Sequence, residues 1–372
     1  MKKALSFLLS AALSISMLTA CSSGETATSQ TEAPTSAETT AAEISDSTAN
    51  NKTTEKQSTV DETISETDDT TEDTVTIRVG GLKGPTTMGL VKLMDDAANG
   101  LVQNQYDFTM VTAADELTAM IASNQIDIAL LPANVASVLY NKTQGKVNVI
   151  DINTLGVLYL VSGDTSISSI EQLAGKTVYL TGKGTTPEYS LRYLLSAAGL
   201  DDGDITLEFK SEATEVASVL AEHPDAIGLL PQPFVSSALA QNEKLSIIMD
   251  LAALWDEIPS EGTKSRLVTG VTIASKTFLN EHPELVDTFL DEHRESIAFA
   301  DSDPDTTAEL IAAAGIVPKA PLAKKALPYC NIAFLSGDEM KEALSGYLEV
   351  LFEQNPASVG GKLPDDAFYY LP

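Results

Sequence analysis

"GLKGPTTMGLVKLM" at residues 81–94 and "TGKGTTPEYSLRYLL" at residues 181–195 decide the reading of this chain. Each follows a short aliphatic and β-branched run, 75–79 in the first case and 177–180 in the second. Each then gives way to apolar positions at helical spacing, such as Leu90, Val91, Leu93 and Met94. Glycine and proline punctuate the step, so both stretches read as strand, loop, helix. A second pair lies downstream: "DIALLPANVASVL" at 127–139 and "DAIGLLPQPFVSSAL" at 225–239 each run an apolar strand into a proline and then a helix. Lys83 lies 49 residues before Pro132, and Lys183 lies 48 before Pro231. Agreement in both motifs and in their separation predicts a structural duplication, two α/β lobes with equivalent ligand-facing loops.

Working outward, 106–111 precedes an amphipathic 113–123, 126–131 precedes 133–140, and 147–150 leads into 155–161. The helix after the first loop is expected over 88–98. Strands alternating with helices predict an α/β fold with a mostly parallel sheet flanked by helices in each lobe. The expected boundaries are 75–158 plus 270–372 for one lobe and 159–269 for the other, with two hinge crossings near 154–161 and 267–274.

The first 74 residues carry a different message. Lys2 and Lys3 followed by the apolar run 4–18 have the form of an export signal, too short to span a membrane. The run ends in Leu18-Thr19-Ala20-Cys21, which resembles the bacterial lipobox, whose cysteine sulfur receives a diacylglyceryl group. Residues 1–20 are therefore expected to be a lipoprotein signal and Cys21 the acylated start of the mature chain. Residues 22–74 hold no aromatic side chain and carry 13 acids against Lys52 and Lys56. Such composition cannot bury enough apolar area to offset its ordering entropy, so 21–74 reads as a disordered acidic tether. The expected place is the extracytoplasmic face of a cell membrane, at a Gram-positive surface.

Composition removes several function classes. The chain has a formal charge of −30, of which −21 falls on the body from residue 75 onward. Nucleic-acid readers present basic faces that displace counterions, so no nucleic-acid partner is expected. Two cysteines and three scattered histidines make neither a disulfide framework nor a zinc site, and no metal or cofactor is expected. Cys330, alone in the body, reads as buried apolar filler.

The body resembles the type II periplasmic-binding fold of ABC-transporter solute receptors, most nearly the nitrate/sulfonate/taurine and thiamine-precursor group. Gly81-Leu82-Lys83-Gly84-Pro85-Thr86 is similar to that group's GxKGxT-like loop, and Pro231-Gln232-Pro233-Phe234 to its strand–Pro–x–Pro segment. "SKTFLNEHPELVDTFLDEHRESI" at 275–297 resembles the return segment after the second lobe. "GGKLPDDAFYY" at 360–370 resembles a subgroup of Gram-positive lipoproteins. Many relatives carry Glu where Gln232 stands, which leaves a carboxylate contact to a cationic ligand group in doubt. The resemblance implies a monomeric receptor that captures a small polar or anionic organic solute and hands it to an ABC-importer permease.

Candidate ligand residues follow from the loop chemistry. Helix starts expose backbone N–H groups, so Gly84, Thr86 and Thr87 in one loop and Gly184, Thr185 and Thr186 in the other are placed for anionic or carbonyl groups. Asn134 and Gln232 offer amides at the two proline-terminated strands, Lys83 and Lys183 offer charge, and Tyr159 and Trp255 offer rings, the latter from a loop-like acidic stretch at 254–260. The alternatives are helix caps for the threonines and asparagine, solvated surface for the lysines and ordinary packing for the rings. His223, His282 and His293 stand on apparent helix ends, outside any Ser/His/Asp, HExxH or Cys/His arrangement, and neither glycine loop has GxxxxGK[ST] spacing. No catalytic residue is therefore expected. Two other classes stay open: an enzyme of the related menaquinone-pathway fold, and a ligand-sensing surface lipoprotein that serves no transporter.

Overall fold

The computed structural model describes residues 75–258 and 265–372; the signal, Cys21 and tether readings lie outside the described residues. The chain opens with β1 (Thr76–Leu82), α1 (Pro85–Met88), α2 (Val91–Ala98), β2 (Gln105–Val111), α3 (Ala114–Ala122), β3 (Ile128–Pro132), α4 (Ala133–Thr143) and β4 (Val147–Leu155). After Gly156 and Val157 come β5 (Leu158–Ser162), β6 (Thr177–Leu180), α5 (Thr186–Ala197), β7 (Thr206–Phe209), α6 (Ala213–Glu222), β8 (Ile227–Pro231), α7 (Phe234–Gln241), β9 (Ser246–Asp250) and α8 (Leu251–Asp256). The return half holds β10 (Val268–Ser275), α9 (Lys276–Glu281), α10 (Pro283–Ser302), α11 (Pro304–Ala313), α12 (Ala320–Ala326), β11 (Ile332–Leu335) and α13 (Gly337–Gln354).

These strands form two sheets, ordered β11-β4-β10-β3-β1-β2 and β7-β6-β8-β5-β9. β1 to β4 share one direction, with β10 and β11 opposed; β6 to β9 share one direction, with β5 opposed. The two-sheet α/β architecture read from the sequence is the one observed. Because β4 leaves the first sheet at its carboxyl edge and β5 enters the second only two residues later, the carboxyl edges of the two sheets face each other. That is the place where open α/β sheets bind ligands.

β1 shows how sequence makes the frame. Ile77 and Val79 alternate with Thr76 and Arg78 and are buried against Leu90, Leu93 and Phe289, the inward half of a period-two strand. A larger apolar cluster runs without a break from Leu117 and Val149 through Leu180 and Trp255 to Tyr347, so α13 packs across both sheets. Gln354 Nε2 donates to the Tyr189 carbonyl at 2.9 Å, and Asn355 Nδ2 to the Tyr189 hydroxyl at 2.7 Å, tying the end of α13 to α5.

Three local expectations change. The single helix expected over 88–98 is two, because the chain breaks at Gly89 and Leu90. At Gly89 a Cβ would stand 2.7 Å from Ile297 Cγ1 and 2.9 Å from Ile332 Cγ2, so only glycine permits the approach. The backbone groups loosened by the break are met by one side chain from α10: Ser296 Oγ donates to the Gly89 carbonyl at 2.6 Å and accepts from the Leu93 N–H at 3.0 Å. The stretch around Trp255 is helix α8 rather than loop, capped by Asp250, whose carboxylate accepts from the Ala252 N–H at 2.8 Å. His293 stands in the middle of α10, fully buried, not at a helix end. Cys330 is buried, as read, and that burial pushes its thiol up to about 12.

Candidate functional site

The two equivalent loops are built differently. In the first, Gly84 is extended and starts α1, and Thr86 and Thr87 lie inside that four-residue helix, 6% and 0% exposed. Neither hydroxyl has a hydrogen-bond partner. Gly81 makes room for this: a Cβ there would stand 2.9 Å from Thr87 Oγ1. Thr86 packs on Gly270 of β10, where a Cβ would stand 2.5 Å from Thr86 Cγ2. So short a helix carries little of the dipole that the loop pattern suggests, and the distinctive groups here are the two hydroxyls. Lys83 is exposed beside them.

In the second loop the polar groups are engaged by the chain itself. Gly184, at φ 73°, donates its N–H to Glu188 Oε2 at 2.6 Å, so the anion position at the start of α5 holds the protein's own carboxylate. Glu188 in turn pairs with Arg192 Nε at 2.7 Å, and Arg192 reaches Asp202. Thr185 Oγ1 donates to the Gly182 carbonyl at 2.6 Å, and Thr186 Oγ1 lies 3.5 Å from Tyr347 Oη. Lys183 is exposed with its ammonium 5.6 Å over the Phe209 ring. Duplication of the sequence has not duplicated the chemistry.

Gln232 supplies the second sheet's open group. It follows β8 through a cis bond to Pro233 and is 2% exposed. Its Oε1 accepts from Ser236 Oγ at 2.9 Å and from the Ser236 N–H at 3.3 Å, which fixes the amide and leaves Nε2 as a buried donor without a partner. Its own N–H donates to the Val157 carbonyl at 3.0 Å, in the link between the sheets. On the other side Thr154 Oγ1 lies 3.4 Å from the Pro85 carbonyl of α1. Thr154 and Val157 are three residues apart, at most about 11 Å of chain. The orphan donor of one sheet and the orphan hydroxyls of the other thus border the same junction.

The remaining candidates make contacts within the protein itself. Asn134 is half-buried at the start of α4 and points Nδ2 at the Ser358 carbonyl, 3.4 Å away. Tyr159 is buried, donates its hydroxyl to the Tyr329 carbonyl at 2.8 Å and meets the Tyr329 ring edge-on. Burial, with Asp250 near, raises its phenol well above the ordinary range. Trp255 is buried under Tyr193 and Tyr347, ring centroids 4.2 and 5.8 Å away, with Nε1 donating to Ser265 Oγ at 3.1 Å. It packs helices together rather than covering an open cleft mouth. A cavity of about 210 Å³ opens against the junction, lined by Leu155, Asp250, Asp256, Arg266 and Asn331 among others. Its charges are used internally: Arg266 pairs with Asp256 at 3.2 Å, and Asp250 caps α8.

The sequence reading passed over the buried polar line behind Thr86. Asp151, Asn153, Thr154, Thr272 and His293 are all buried and hydrogen-bonded in series. A signal was present, since Asp151, Asn153 and Thr154 interrupt an apolar strand, and His293 falls with Phe289, Leu290, Ser296 and Ile297 on one helical stripe. Among the described residues no group of three or more His, Cys, Asp or Glu side chains converges as a metal site, and no helix is long and apolar enough to cross a membrane.

Comparison with known proteins agrees with this architecture. The chain superposes on an ABC transporter from Parabacteroides distasonis with a TM-score of 0.67 and 27% identity, covering 81% of this chain and 99% of that one. It shares the fold of the periplasmic aliphatic sulphonate binding protein SsuA from Escherichia coli (TM-score 0.63, 17% identity, 80% of this chain and 92% of that one). The same holds for the alkanesulfonate-binding protein SsuA from Xanthomonas axonopodis pv. citri bound to MOPS (TM-score 0.54, 14% identity, 78% and 94%). No curated protein sequence matches. The sequence profile described as NMT1/THI5 like matches residues 111–307, more than half of the chain, and the protein belongs to that family.

Proposed function

We propose that this protein is the extracytoplasmic solute receptor of an ABC importer, holding a small organic solute between the two sheets and passing it to the permease. The observation that carries the reading is the set of three buried, unpartnered polar groups at the junction, Thr86 Oγ1, Thr87 Oγ1 and Gln232 Nε2. An unsatisfied buried donor costs about 1–3 kcal/mol, so three along one border are a standing demand for a partner. Gln232 defines that partner's chemistry. With Oε1 held by Ser236, only N–H bonds are offered, and the solute must bring an acceptor-rich end such as a carboxylate, a sulfonate or a carbonyl. The second loop does not compete for that end, because Glu188 already fills the anion position there and would repel a second carboxylate, which leaves Thr86 and Gln232 as its partners.

On this reading 75–158 with 270–372 forms one lobe and 159–269 the other. Solute binding closes the two lobes about the crossings near 154–161 and 267–274, a hinge motion used by periplasmic binding proteins. Lys83, Gly84 and Asn134 border the first half, and Tyr159, Lys183, Gly184, Thr185 and Thr186 shape the second. Acylation at Cys21 anchors the monomer on the outer membrane face, where two acyl chains give a durable hold. Cys21→Ala then moves the protein from the membrane fraction to the medium or leaves unprocessed precursor.

The test is a thermal-shift screen of small carboxylates, sulfonates and carbonyl compounds, followed by calorimetry of the responding solute on Thr86→Val and Gln232→Leu. Each variant is expected to weaken binding by roughly 5–150-fold. Undiminished affinity in both moves the site elsewhere, and consumption of the solute by the purified protein replaces capture with catalysis.

A further inference from the structure

The loop that carries Thr86 is a poor support for a binding group on its own, since α1 is four residues long and the chain breaks at Gly89 directly after it. What holds it lies behind, in β4. The pairing of β4 with β10 slips three times: between Val268 and Gly270 the extra residue is Thr269 of β10, while between Gly270 and Val271 and between Thr272 and Ile273 it belongs to β4, at Asn153 and at Ile150. A bulge bends a strand and re-aims its side chains, and the two in β4 turn Asp151, Asn153 and Thr154 toward α10 and α1.

The hydrogen bonds in that line have one consistent direction. Asp151 Oδ2 lies 3.1 Å from His293 Nδ1, and Asp151 Oδ1 lies 2.7 Å from Thr272 Oγ1. His293 Nε2 is buried without a partner, among the Phe289 and Phe334 rings at 5.3 and 6.2 Å. A bare ring nitrogen tolerates an apolar wall better than an N–H does, so the proton belongs on Nδ1, and both Asp151 oxygens accept. Thr272, having given its one proton to Asp151, must accept from Asn153 Nδ2, 3.1 Å away. That turns Asn153 Oδ1 to Thr154, whose hydroxyl donates to it at 2.9 Å. The line ends at α1: the one Thr154 hydroxyl proton, held mainly by Asn153 Oδ1, is shared with the Pro85 carbonyl at 3.4 Å, and packing adds to it, since a Cβ on Gly270 would stand 2.5 Å from both Asn153 Oδ1 and Thr86 Cγ2. From the other flank Ser296, three residues after His293 on the same face of α10, holds the break at Gly89.

We propose that Asp151, Asn153, Thr272 and His293 are positioning residues, a one-way hydrogen-bond chain that starts at the Asp151 carboxylate and fixes the Pro85–Met88 turn so that Thr86 meets the solute. The positioning claim rests on the capture reading only in its last clause; the chain itself is testable with no solute.

Two measurements on the full chain test it. In the unsubstituted protein, ¹⁵N NMR of the His293 ring is expected to show a proton on Nδ1. A proton on Nε2 alone overturns the proposal, because Asp151 would then have to donate and the direction would reverse. Next, Thr272→Val keeps the side-chain shape and cuts the chain, while Thr272→Ser keeps the hydroxyl. Amide exchange at Thr87 and Leu90, whose N–H groups close the turn, is expected to rise about 3–10-fold in the valine variant, the factor one neutral hydrogen bond represents. The serine variant should stay at the wild-type rate, and Tyr189 in α5 should not change in either. Unchanged Thr87 and Leu90 in the valine variant, or an equal rise in the serine variant, defeats the claim. Should Thr272→Val fail to fold, the ring measurement still decides. If the exchange result holds while Thr86→Val leaves solute affinity intact, the chain positions α1 and it is the capture reading that falls.

Discussion

Thr86 and Thr185 stand in two similar loops, one inside α1 and the other at the N-cap of α5, and replacing each with valine should change stability in opposite directions. Thr86 Oγ1 is buried and no protein group partners it, whereas Thr185 Oγ1 donates to the Gly182 carbonyl at 2.6 Å. An unsatisfied buried hydroxyl costs about 1–3 kcal/mol. Valine removes that penalty with nearly the same volume and a similar helix propensity. Taking the lower bound, Thr86→Val should stabilise the solute-free protein by about 1 kcal/mol, or roughly 2 °C in Tm for a body of this size. At Thr185 the bond is real but exposed, so its loss should cost about 0.5 kcal/mol, the low end for one hydrogen bond. Urea unfolding of the two variants, compared by midpoint at equal m-value, should separate them by about 1.5 kcal/mol. The same Thr86→Val protein should bind solute more weakly, stability gained against function lost. A Thr86→Val variant that unfolds more easily than wild type, or two variants that shift together, would refute the claim that the Thr86 hydroxyl is held in reserve.

The packing around the junction makes three further predictions. Gly270→Ala puts a methyl 2.5 Å from Asn153 Oδ1 and Thr86 Cγ2, and calorimetric or urea unfolding should register the overpacking as a loss of about 1–3 kcal/mol together with weaker solute binding. Trp255→Phe removes the Nε1 bond to Ser265 Oγ and part of a buried ring, so stability should fall by about 1–3 kcal/mol while solute affinity stays within about twofold in calorimetry. Burial pushes the Tyr347 phenol up to about 12 from an ordinary 10.0. The folded state therefore keeps this proton where the unfolded chain releases it, and the associated stability is full below about pH 10 and is lost between about pH 10 and 12, on the order of 3 kcal/mol at most. Tyr347→Phe should flatten that alkaline limb in pH-dependent unfolding, and an unchanged limb would contradict it.

Much of the frame was legible because it rests on local patterns. Ile77 and Val79 alternate as a half-buried strand must, and the matched spacing from Lys83 to Pro132 and from Lys183 to Pro231 announces two units of one plan. What escaped depends on partners far along the chain. The break at Gly89 follows from Ile297, Ile332 and Ser296, more than 200 residues away; the glycine marks a weak point in the helical pattern, but not the partners that open it. Trp255 lies in a stretch that reads as acidic loop until Asp250 caps it and Tyr193 and Tyr347 close over the indole. His293 meets Asp151 across 142 residues. The difference between the two loops, by contrast, was in plain view. Glu188 stands three residues after Thr185, the spacing at which an acidic side chain folds back onto a helix start, and it marks the second loop as self-satisfied.

The central claim is that a solute's acceptor end seats between Thr86 and Gln232. It is tested most directly by following the Gln232 side-chain amide and the Thr86 backbone amide in ¹H–¹⁵N spectra while the solute found by thermal shift is titrated. The account predicts that both resonances move together and saturate at one solute per chain, the Gln232 signal as its idle Nε2 protons find an acceptor. A solute that binds at one per chain and leaves both resonances in place would contradict it.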